Sequence, residues 1–423
     1  MLLLQNGQIV NPNTKDCLFT DVLVDQGIIQ KIGKMQEIDI SKDFQIIDCT
    51  GCVIGPGLVD VHVHFRDPGF TYKEDIVSGA KAAAKGGFTS VILMANTKPV
   101  VDNEETLKYV IDKGKETGIH VYTCASITKE MQGKELNNMA SLKEAGAVGF
   151  TDDGVPIRDV DMVTSAMKKS AILHSPLSFH EEDPAYITNN GVNKGKASEY
   201  YHIGGSDRKA EITMVARDLE LAVQTGALVN IQHISSAEAV DLVRQAKKKS
   251  PYIHAEATPH HFSLTEEETI QKGTLAKMNP PLRREEDRQA IIKGLQDGTI
   301  DLIATDHAPH SVEEKKKPIT EAPSGIIGLE TALSLGIMNL VDQKYLTMAQ
   351  LFEKMSYNPA NLYSLPAGII KEGAAADLVV INLEESYVAD SFVSKSQNSP
   401  FLGATMKGKV LYTICDGVVV YKA

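Results

Sequence analysis

Short runs of alternating hydrophobic and polar residues occupy both ends of the chain, with turn-forming residues such as Gly7 and Gln26-Gly27 between them. Near the N-terminus this alternation predicts strands over residues 2–4, 8–10, 21–24, 28–32 and 45–48. Near the C-terminus it predicts strands over residues 377–382, 409–414 and 418–421, with Asp416-Gly417 as a hairpin turn. Because neither end has enough strands for a stable sheet, we expect residues 1–52 and 366–423 to form one small β-sandwich domain.

Between these ends, over residues 53–365, apolar runs of strand length alternate with segments of helical periodicity. An opening strand runs into His62 and His64. Further strands are predicted over residues 89–96, 120–127, 147–153, 176–182, 227–234, 252–260 and 301–306. Helices are predicted over residues 73–85, 104–117, 159–169, 211–225 and 237–249. Eight β/α units in succession predict an α/β fold of the (β/α)8 TIM-barrel type.

Composition and charge narrow the class of protein. A chain of 423 residues with 43% hydrophobic and 23% charged residues is typical of a globular protein with a large core. The formal charge of −12 disfavours nucleic acid or an anionic membrane as the main partner. No apolar run approaches the ~20 residues of a membrane span, and the N-terminal residues lack signal-peptide features. Five sparse cysteines fit a reducing compartment, so we expect a cytoplasmic protein.

Side chains suited to metal binding follow several predicted strands at the point where each strand ends. His62 and His64 share one face, because successive strand residues point in opposite directions. The other strand ends carry Asn96, Asp152-Asp153, His180, His233 and Asp306. In a barrel these ends converge on the face where active sites lie. Four imidazoles and two carboxylates are too many for one tetrahedral zinc and fit two ions.

The chemistry of these donors indicates a reaction class. Imidazoles and carboxylates without thiolates suit Zn²⁺, but also Mn²⁺, Co²⁺ or Fe²⁺. Ions held in this way polarise carbonyl or phosphoryl groups and activate water. The pattern therefore predicts a hydrolase acting at a carbonyl or phosphoryl centre.

The motifs around these residues resemble those of the amidohydrolase superfamily and, more narrowly, of the long-chain bacterial dihydroorotases. They are VDVHVHFRDPG, ILMANTKP, GFTDDG, SFHEED, IQHIS, ATPHHF, KMNPPLR and ATDHAPH. The resemblance runs from residue 2 to the C-terminal strands. It implies the reversible cyclisation of N-carbamoyl-L-aspartate to (S)-dihydroorotate plus water, a step of pyrimidine (UMP) biosynthesis. It also implies one or two zinc ions per chain, with two favoured.

The same resemblance implies a ligand set. One ion would be held by His62, His64 and Asp306, the other by His180 and His233, with Asp153 between the two. Related hydantoinases and many dihydroorotases use a carboxylated lysine as the bridge, whereas residues 147–153 contain no lysine. Asp152 is the alternative to Asp153. Asp306 is also the expected catalytic residue, which carries the proton between the attacking water and the ring nitrogen.

Dihydroorotate has an exocyclic carboxylate that dihydrouracil and hydantoins lack, so its site needs positive charge. Arg66, two residues beyond His64, is suited to bind this carboxylate through two parallel hydrogen bonds. A surface ion pair with Asp67 is the alternative. The resemblance adds Asn96, His310 and a backbone contact near Asn279. His64 and the backbone of Ser324 and Gly325 are further expected substrate contacts. The charged segment 311–323 is either a solvated loop or a lid over the substrate.

Two other functions stay open at this point. Another cyclic amidase, such as a dihydropyrimidinase, hydantoinase or allantoinase, would use the same metal ligands. A non-catalytic relative that supports aspartate carbamoyltransferase would have lost ligands, and here none is missing. A homodimer and a complex with aspartate carbamoyltransferase are both compatible with the sequence. His260-His261 is expected to be structural, because adjacent strand residues face opposite ways.

Overall fold

The computed structural model describes residues 1–35 and 45–423. Sixteen strands in this part of the chain divide between a sheet built from both chain ends and a barrel between them. The strands are β1 (Leu2–Val10), β2 (Cys17–Asp25), β3 (Ile28–Ile32), β4 (Gln45–Asp48), β5 (Val53–Pro56), β6 (Leu58–Val63), β7 (Phe88–Leu93), β8 (His120–Thr123), β9 (Phe150–Thr151), β10 (Leu177–Phe179), β11 (Val229–Ile231), β12 (Ile253–Ala257), β13 (Leu302–Ile303), β14 (Leu378–Val388), β15 (Thr405–Cys415) and β16 (Val418–Lys422).

The terminal strands form one eight-stranded sheet in the order β16-β15-β14-β5-β1-β2-β3, with β4 paired to β1. Alternate residues of β14 serve two cores. Leu378 and Val380 pack in the small domain, whereas Val379 and Ile381 pack against the barrel. The prediction of a composite β-domain is confirmed. The predicted boundary between this domain and the barrel, at residue 52, stays a prediction. The strand that follows this boundary, β5, pairs with β1 and β14 of the terminal sheet.

One predicted turn in this domain is wrong. The segments 2–4 and 8–10 belong to a single strand, β1, whose pairing with β2 shifts register between Leu4 and Gly7. Gly7 is needed there for space, since a Cβ atom at this position would lie 2.4 Å from Ile54 Cδ1. The predicted hairpin turn is confirmed: Asp416 and Gly417 have φ values of 47° and 72°, as type I′ turns require.

The remaining eight strands form the predicted barrel. Parallel pairing joins β6 to β8 in one group and β9 to β13 in another. The bridges Ala125–Phe150 and Val63–His307 connect the two groups at both seams, so the barrel closes. All eight predicted strands are present, although most are shorter than the apolar runs that predicted them.

Helices surround the barrel and include all five that were predicted. The first begins at Ile76 rather than at residue 73, because the Asp75 side chain accepts a hydrogen bond from Ser78 N and caps it. The helices are α1 (Ile76–Lys85), α2 (Glu104–Lys115), α3 (Met139–Glu144), α4 (Val160–Leu173), α5 (Lys196–Tyr200), α6 (Lys209–Thr225), α7 (Ala237–Lys247), α8 (Pro259–Ser263), α9 (Glu266–Lys272), α10 (Glu285–Asp297), α11 (Val312–Lys315), α12 (Ala332–Gly336), α13 (Met348–Phe352) and α14 (Asn358–Leu362). Two π-helical turns, Ile337–Val341 and Glu353–Tyr357, extend α12 and α13.

Candidate metal centre and active site

The six predicted metal ligands lie together at the carboxyl ends of the barrel strands. They follow or end β6, β9, β10, β11 and β13, and each is between 0 and 8% exposed. Two of them, His233 and Asp306, have left-handed backbone conformations with φ values of 30° and 49°. Such conformations are costly for residues with a Cβ atom and concentrate at functional sites. Here these conformations turn the backbone just after β11 and just after β13.

The ligand atoms form two groups that share one carboxylate. The first group contains His62, His64 and Asp153, and the second contains Asp153, His180 and His233. Asp153 Oδ1 lies 3.3 Å from His62 Nε2 and 3.7 Å from His180 Nδ1, so this carboxylate stands between the groups. Asp306 joins the first group, with Oδ1 3.0 Å from His64 Nε2.

The chemistry of these atoms fits divalent cations. His62 Nε2 is fully buried and makes no hydrogen bond to any described residue, although it lies 3.3 Å from Asp153 and 3.5 Å from Asp306. A buried nitrogen facing two carboxylates is satisfied by a metal ion between them. Burial acts to raise the pKa of Asp153, but the neighbouring His62 and His64 hold that pKa well below its usual value. The carboxylate is therefore available as a ligand.

Asp152, the alternative bridge, points elsewhere. Its Oδ1 accepts hydrogen bonds from the backbone N–H groups of Ile127, at 2.7 Å, and Thr128, at 3.1 Å, and its Oδ2 accepts one from the Thr128 hydroxyl. These bonds hold the loop after β8 against the loop after β9. Asp152 is thus a structural carboxylate, and it belongs to neither ligand group.

A cavity of about 430 Å³ opens above the ligand groups. Its walls bring together all the predicted substrate contacts and five of the six predicted ligands, while His62 lies beneath its floor. The predicted contacts in the wall are His64, Arg66, Asn96, Asn279, His310, Ser324 and Gly325. The cavity is large enough for one small ring compound.

Arg66 places a cation in this cavity. Its backbone is left-handed, with φ of 59°, and its Nε donates a hydrogen bond to the Pro309 carbonyl at 3.3 Å. Burial lowers the pKa of the guanidinium, against the opposing effect of Asp306 and Asp153. No ion pair with Arg66 occurs among residues 1–35 and 45–423. Asp67, the alternative partner, instead accepts a hydrogen bond from the Tyr109 hydroxyl at 2.9 Å.

The amide side chains of the cavity contact the ligands themselves. Asn96 Oδ1 lies 3.0 Å from His64 Nδ1, and Asn96 Nδ2 donates to Asp153 Oδ2 at 3.1 Å. Asn279 Nδ2 lies 3.2 Å from His180 Nε2. Both residues are therefore placed to orient ligands as well as to face a substrate.

The segment after α11 covers one side of the cavity and is fastened by two lysines. Lys277 Nζ donates to the carbonyls of Ile319, at 2.7 Å, and Ala322, at 2.6 Å. Lys315 Nζ donates to the carbonyls of Pro323 and Gly325, each at 2.9 Å. Burial, together with a smaller effect of the neighbouring Lys277, lowers the pKa of Lys315 to about 7. A role for this segment as a lid stays a proposal.

Sequence reasoning missed these two lysines, and it also missed Glu256. This glutamate is fully buried in β12, with Oε1 2.5 Å from His62 Nδ1. The available signal was a lone carboxylate between two alanines in a predicted buried strand.

Other possible donors lie outside the ligand cluster. His261, which was expected to be structural, is held by Thr258 and by the Pro280 carbonyl at 3.1 Å. A separate group of possible donors, His120, Cys415 and Asp416, lies at the opposite end of the barrel, where His120 pairs with Asp377 at 3.2 Å.

Comparison with known proteins agrees with this geometry. A family profile described as dihydro-orotase-like matches residues 51–239. The dihydroorotase of Clostridioides difficile (strain 630) is 56% identical over 423 residues, covering 100% of both chains, and that of Clostridium acetobutylicum is 51% identical over 424 residues, again covering 100% of both. The chain belongs to the dihydroorotase family. It is thus a metal-dependent cyclic amide hydrolase, as the motifs predicted.

Solved structures confirm the fold of this dihydroorotase family member. The L-hydantoinase of Arthrobacter aurescens superposes with a TM-score of 0.89 at 24% identity, covering 100% of this chain and 96% of that one. A D-hydantoinase from Bacillus sp. AR9 superposes with a TM-score of 0.86 at 22% identity, covering 100% and 95%. At such identities the likeness shows the barrel and its β-sandwich domain, and not the substrate. No helix in the described residues is long and apolar enough to cross a membrane.

Proposed function

We propose that this chain interconverts N-carbamoyl-L-aspartate and (S)-dihydroorotate at the cavity above the two ligand groups. The observation that carries the proposal is the position of Arg66, a half-buried cation in the wall of a cavity whose floor is a metal-ligand cluster. A cyclic amidase for uncharged rings has no use for a cation there. Dihydroorotate presents both a scissile ring amide, which the metal-ligand cluster would activate, and a carboxylate, which Arg66 would bind.

The ligands proposed for a first zinc ion are His62, His64 and Asp306, and those for a second are His180 and His233, with Asp153 shared. Bound ions of this kind supply polarisation of the scissile carbonyl and activation of water at neutral pH. The arrangement of two groups around one carboxylate supports two ions rather than one. Zinc is favoured by the imidazole-rich donor set.

Asp306 is the proposed proton carrier. The residue is 8% exposed, and its side chain lines the cavity and lies beside the first ligand group. In hydrolysis, its carboxylate would accept the proton lost by the attacking water and donate it to the departing ring nitrogen. In ring closure the same two transfers run in reverse.

The remaining cavity residues are proposed to hold the substrate. Arg66 would bind the exocyclic carboxylate through two N–H groups, with the Asn96 amide and the His310 ring as further contacts. His310 Nε2 lies 2.8 Å from the Ser324 carbonyl, which fixes the ring beside the cavity. Backbone groups of Asn279, Ser324 and Gly325 would contact the dihydropyrimidine ring.

Charge balance sets the direction of the reaction. N-carbamoyl-L-aspartate carries two carboxylates and dihydroorotate one, so ring closure consumes a proton. Acidic pH therefore favours closure and alkaline pH favours hydrolysis. A homodimer, a complex with aspartate carbamoyltransferase and a cytoplasmic location stay predictions.

Removal of metal tests the proposal. We expect hydrolysis of dihydroorotate to fall at least a hundredfold after chelation and to return when about two zinc ions per chain are restored. Metal content per chain is measured at each stage, with dihydrouracil as the comparison substrate. Full activity in a chain shown to hold no metal, or preference for dihydrouracil, would overturn the proposal.

A further inference from the structure

Glu256 contacts the one ring nitrogen of His62 that faces away from the ligand cluster. Its Oε1 lies 2.5 Å from His62 Nδ1, and both residues are 0% exposed. A carboxylate here accepts a hydrogen bond from Nδ1–H, which leaves the lone pair of His62 on Nε2. That nitrogen is the one that faces Asp153 and Asp306.

The Glu256 carboxylate is itself held from a neighbouring strand. Asn230 Nδ2 donates to Oε2 at 2.8 Å, and the backbone N–H of His233 approaches Oε1 at 3.4 Å. Since both oxygens have donors from β11 or the residues after it, the carboxylate cannot rotate away from His62. Its position is fixed before any ion binds.

Glu182 makes the equivalent contact in the second group. Its Oε2 lies 3.2 Å from His180 Nε2, and the residue is 2% exposed. Asn279 Nδ2 lies at the same distance from this nitrogen, but of the two only the carboxylate oxygen can accept a hydrogen bond from Nε2–H. His180 Nδ1 then faces the cluster, 3.7 Å from Asp153 Oδ1 and 3.0 Å from His233 Nε2. His62 therefore directs Nε2 toward the cluster, whereas His180 directs Nδ1. In each case the other ring nitrogen contacts the glutamate.

The other two histidines differ. His64 Nδ1 lies against the neutral amide of Asn96, and His233 has no carboxylate on its Nδ1 among the described residues. Each ligand group therefore contains one histidine paired with a carboxylate. Such pairing fixes the tautomer and raises the basicity of a ligand, and its loss typically weakens metal binding 10- to 100-fold.

We propose that Glu256 and Glu182 are positioning residues that set the affinities of the two metal sites separately, Glu256 through His62 and Glu182 through His180. This inference rests on the proposed two-metal site, and it adds the prediction that the two affinities can be changed one at a time. Neither glutamate lines the cavity, so neither acts on the substrate directly.

Zinc titration of the metal-free full chain, in competition with a chromophoric chelator, tests the proposal. The variants are Glu256→Gln and Glu182→Gln, which keep side-chain size and remove the charge. His64→Ala and His233→Ala identify which binding step belongs to which group. Glu181→Gln is the matched control, because Glu181 is an equally buried neighbour whose carboxyl group faces Asp218 and not a ligand histidine.

We expect Glu256→Gln to weaken the His64-dependent step 10- to 100-fold and to change the other step less than threefold. Glu182→Gln should do the converse, and Glu181→Gln should change neither. Equal weakening of both steps by either variant, or no weakening by both, would overturn the proposal. If Glu256→Gln fails to fold by circular dichroism, Glu182→Gln decides alone. Failure of the wild-type chain to bind two ions refutes the two-metal site itself, which is a separate result.

Discussion

Replacement of Arg66 measures how much of the specificity for dihydroorotate comes from its carboxylate. The Nε atom is occupied by the Pro309 carbonyl at 3.3 Å, which leaves the two terminal amino groups for a substrate. Each hydrogen bond to a charged group contributes about 1.5–3 kcal/mol, so two of them amount to about 3–6 kcal/mol. Since 1.36 kcal/mol corresponds to a tenfold change in rate, Arg66→Ala should lower kcat/KM for dihydroorotate by about 10²–10⁴.

The assay compares two substrates that differ only in that carboxylate. For dihydrouracil, Arg66→Ala should change kcat/KM less than about threefold, since no contact is lost. Arg66→Lys keeps the charge but not the planar pair of donors, so it should recover part of the loss and remain well below the wild type. Metal content must be equal in all three proteins. The reasoning fails if Arg66→Ala keeps wild-type efficiency with dihydroorotate, or if both substrates lose equally.

Two further predictions concern proton transfer and stability. Compared at the metal content of the wild type, Asp306→Asn should lower turnover by about 10²–10⁴, and near-normal turnover would exclude Asp306 as the proton carrier. Lys315 has its pKa lowered from 10.5 to about 7, chiefly by burial, so the unfolded chain binds more protons between these values and stability should rise with pH across that window. The full effect is up to about 5 kcal/mol. Lys315→Met should flatten this rise in the unfolding midpoint, and an unchanged slope would contradict the assignment.

The barrel was predictable because its strands and helices carry different periodicities over many residues. The ligands were predictable because each ends such a strand, where topology brings them together regardless of the exact strand length. Strand ends were less accurate: residues 252–260 were predicted as one strand, whereas β12 ends at Ala257 and Thr258 caps α8. A local hydrogen bond decided that boundary.

Residues whose roles depend on partners distant in the sequence could not be predicted from the sequence. Glu256 matters because His62, 194 positions earlier, meets it in the barrel interior, and no local pattern reports such a pairing. Lys277 and Lys315 resemble solvated charges in the sequence, yet both bond to carbonyls of the segment over the cavity. Gly7 was misread for a similar reason. Its small size serves the close approach of Ile54 rather than a turn.

The order of strands in the terminal sheet has a consequence for synthesis of the chain on the ribosome. β5 pairs with β1 on one side and with β14 on the other, and β14 begins 322 residues after β5 ends. At about 5–20 residues per second, one edge of β5 stays unpaired for roughly 16–64 s of translation. An open strand edge invites pairing with other chains. The nascent N-terminal sheet is therefore the part of this molecule most in need of chaperone protection, and a truncation before β14 should aggregate even though every residue of the metal centre is present.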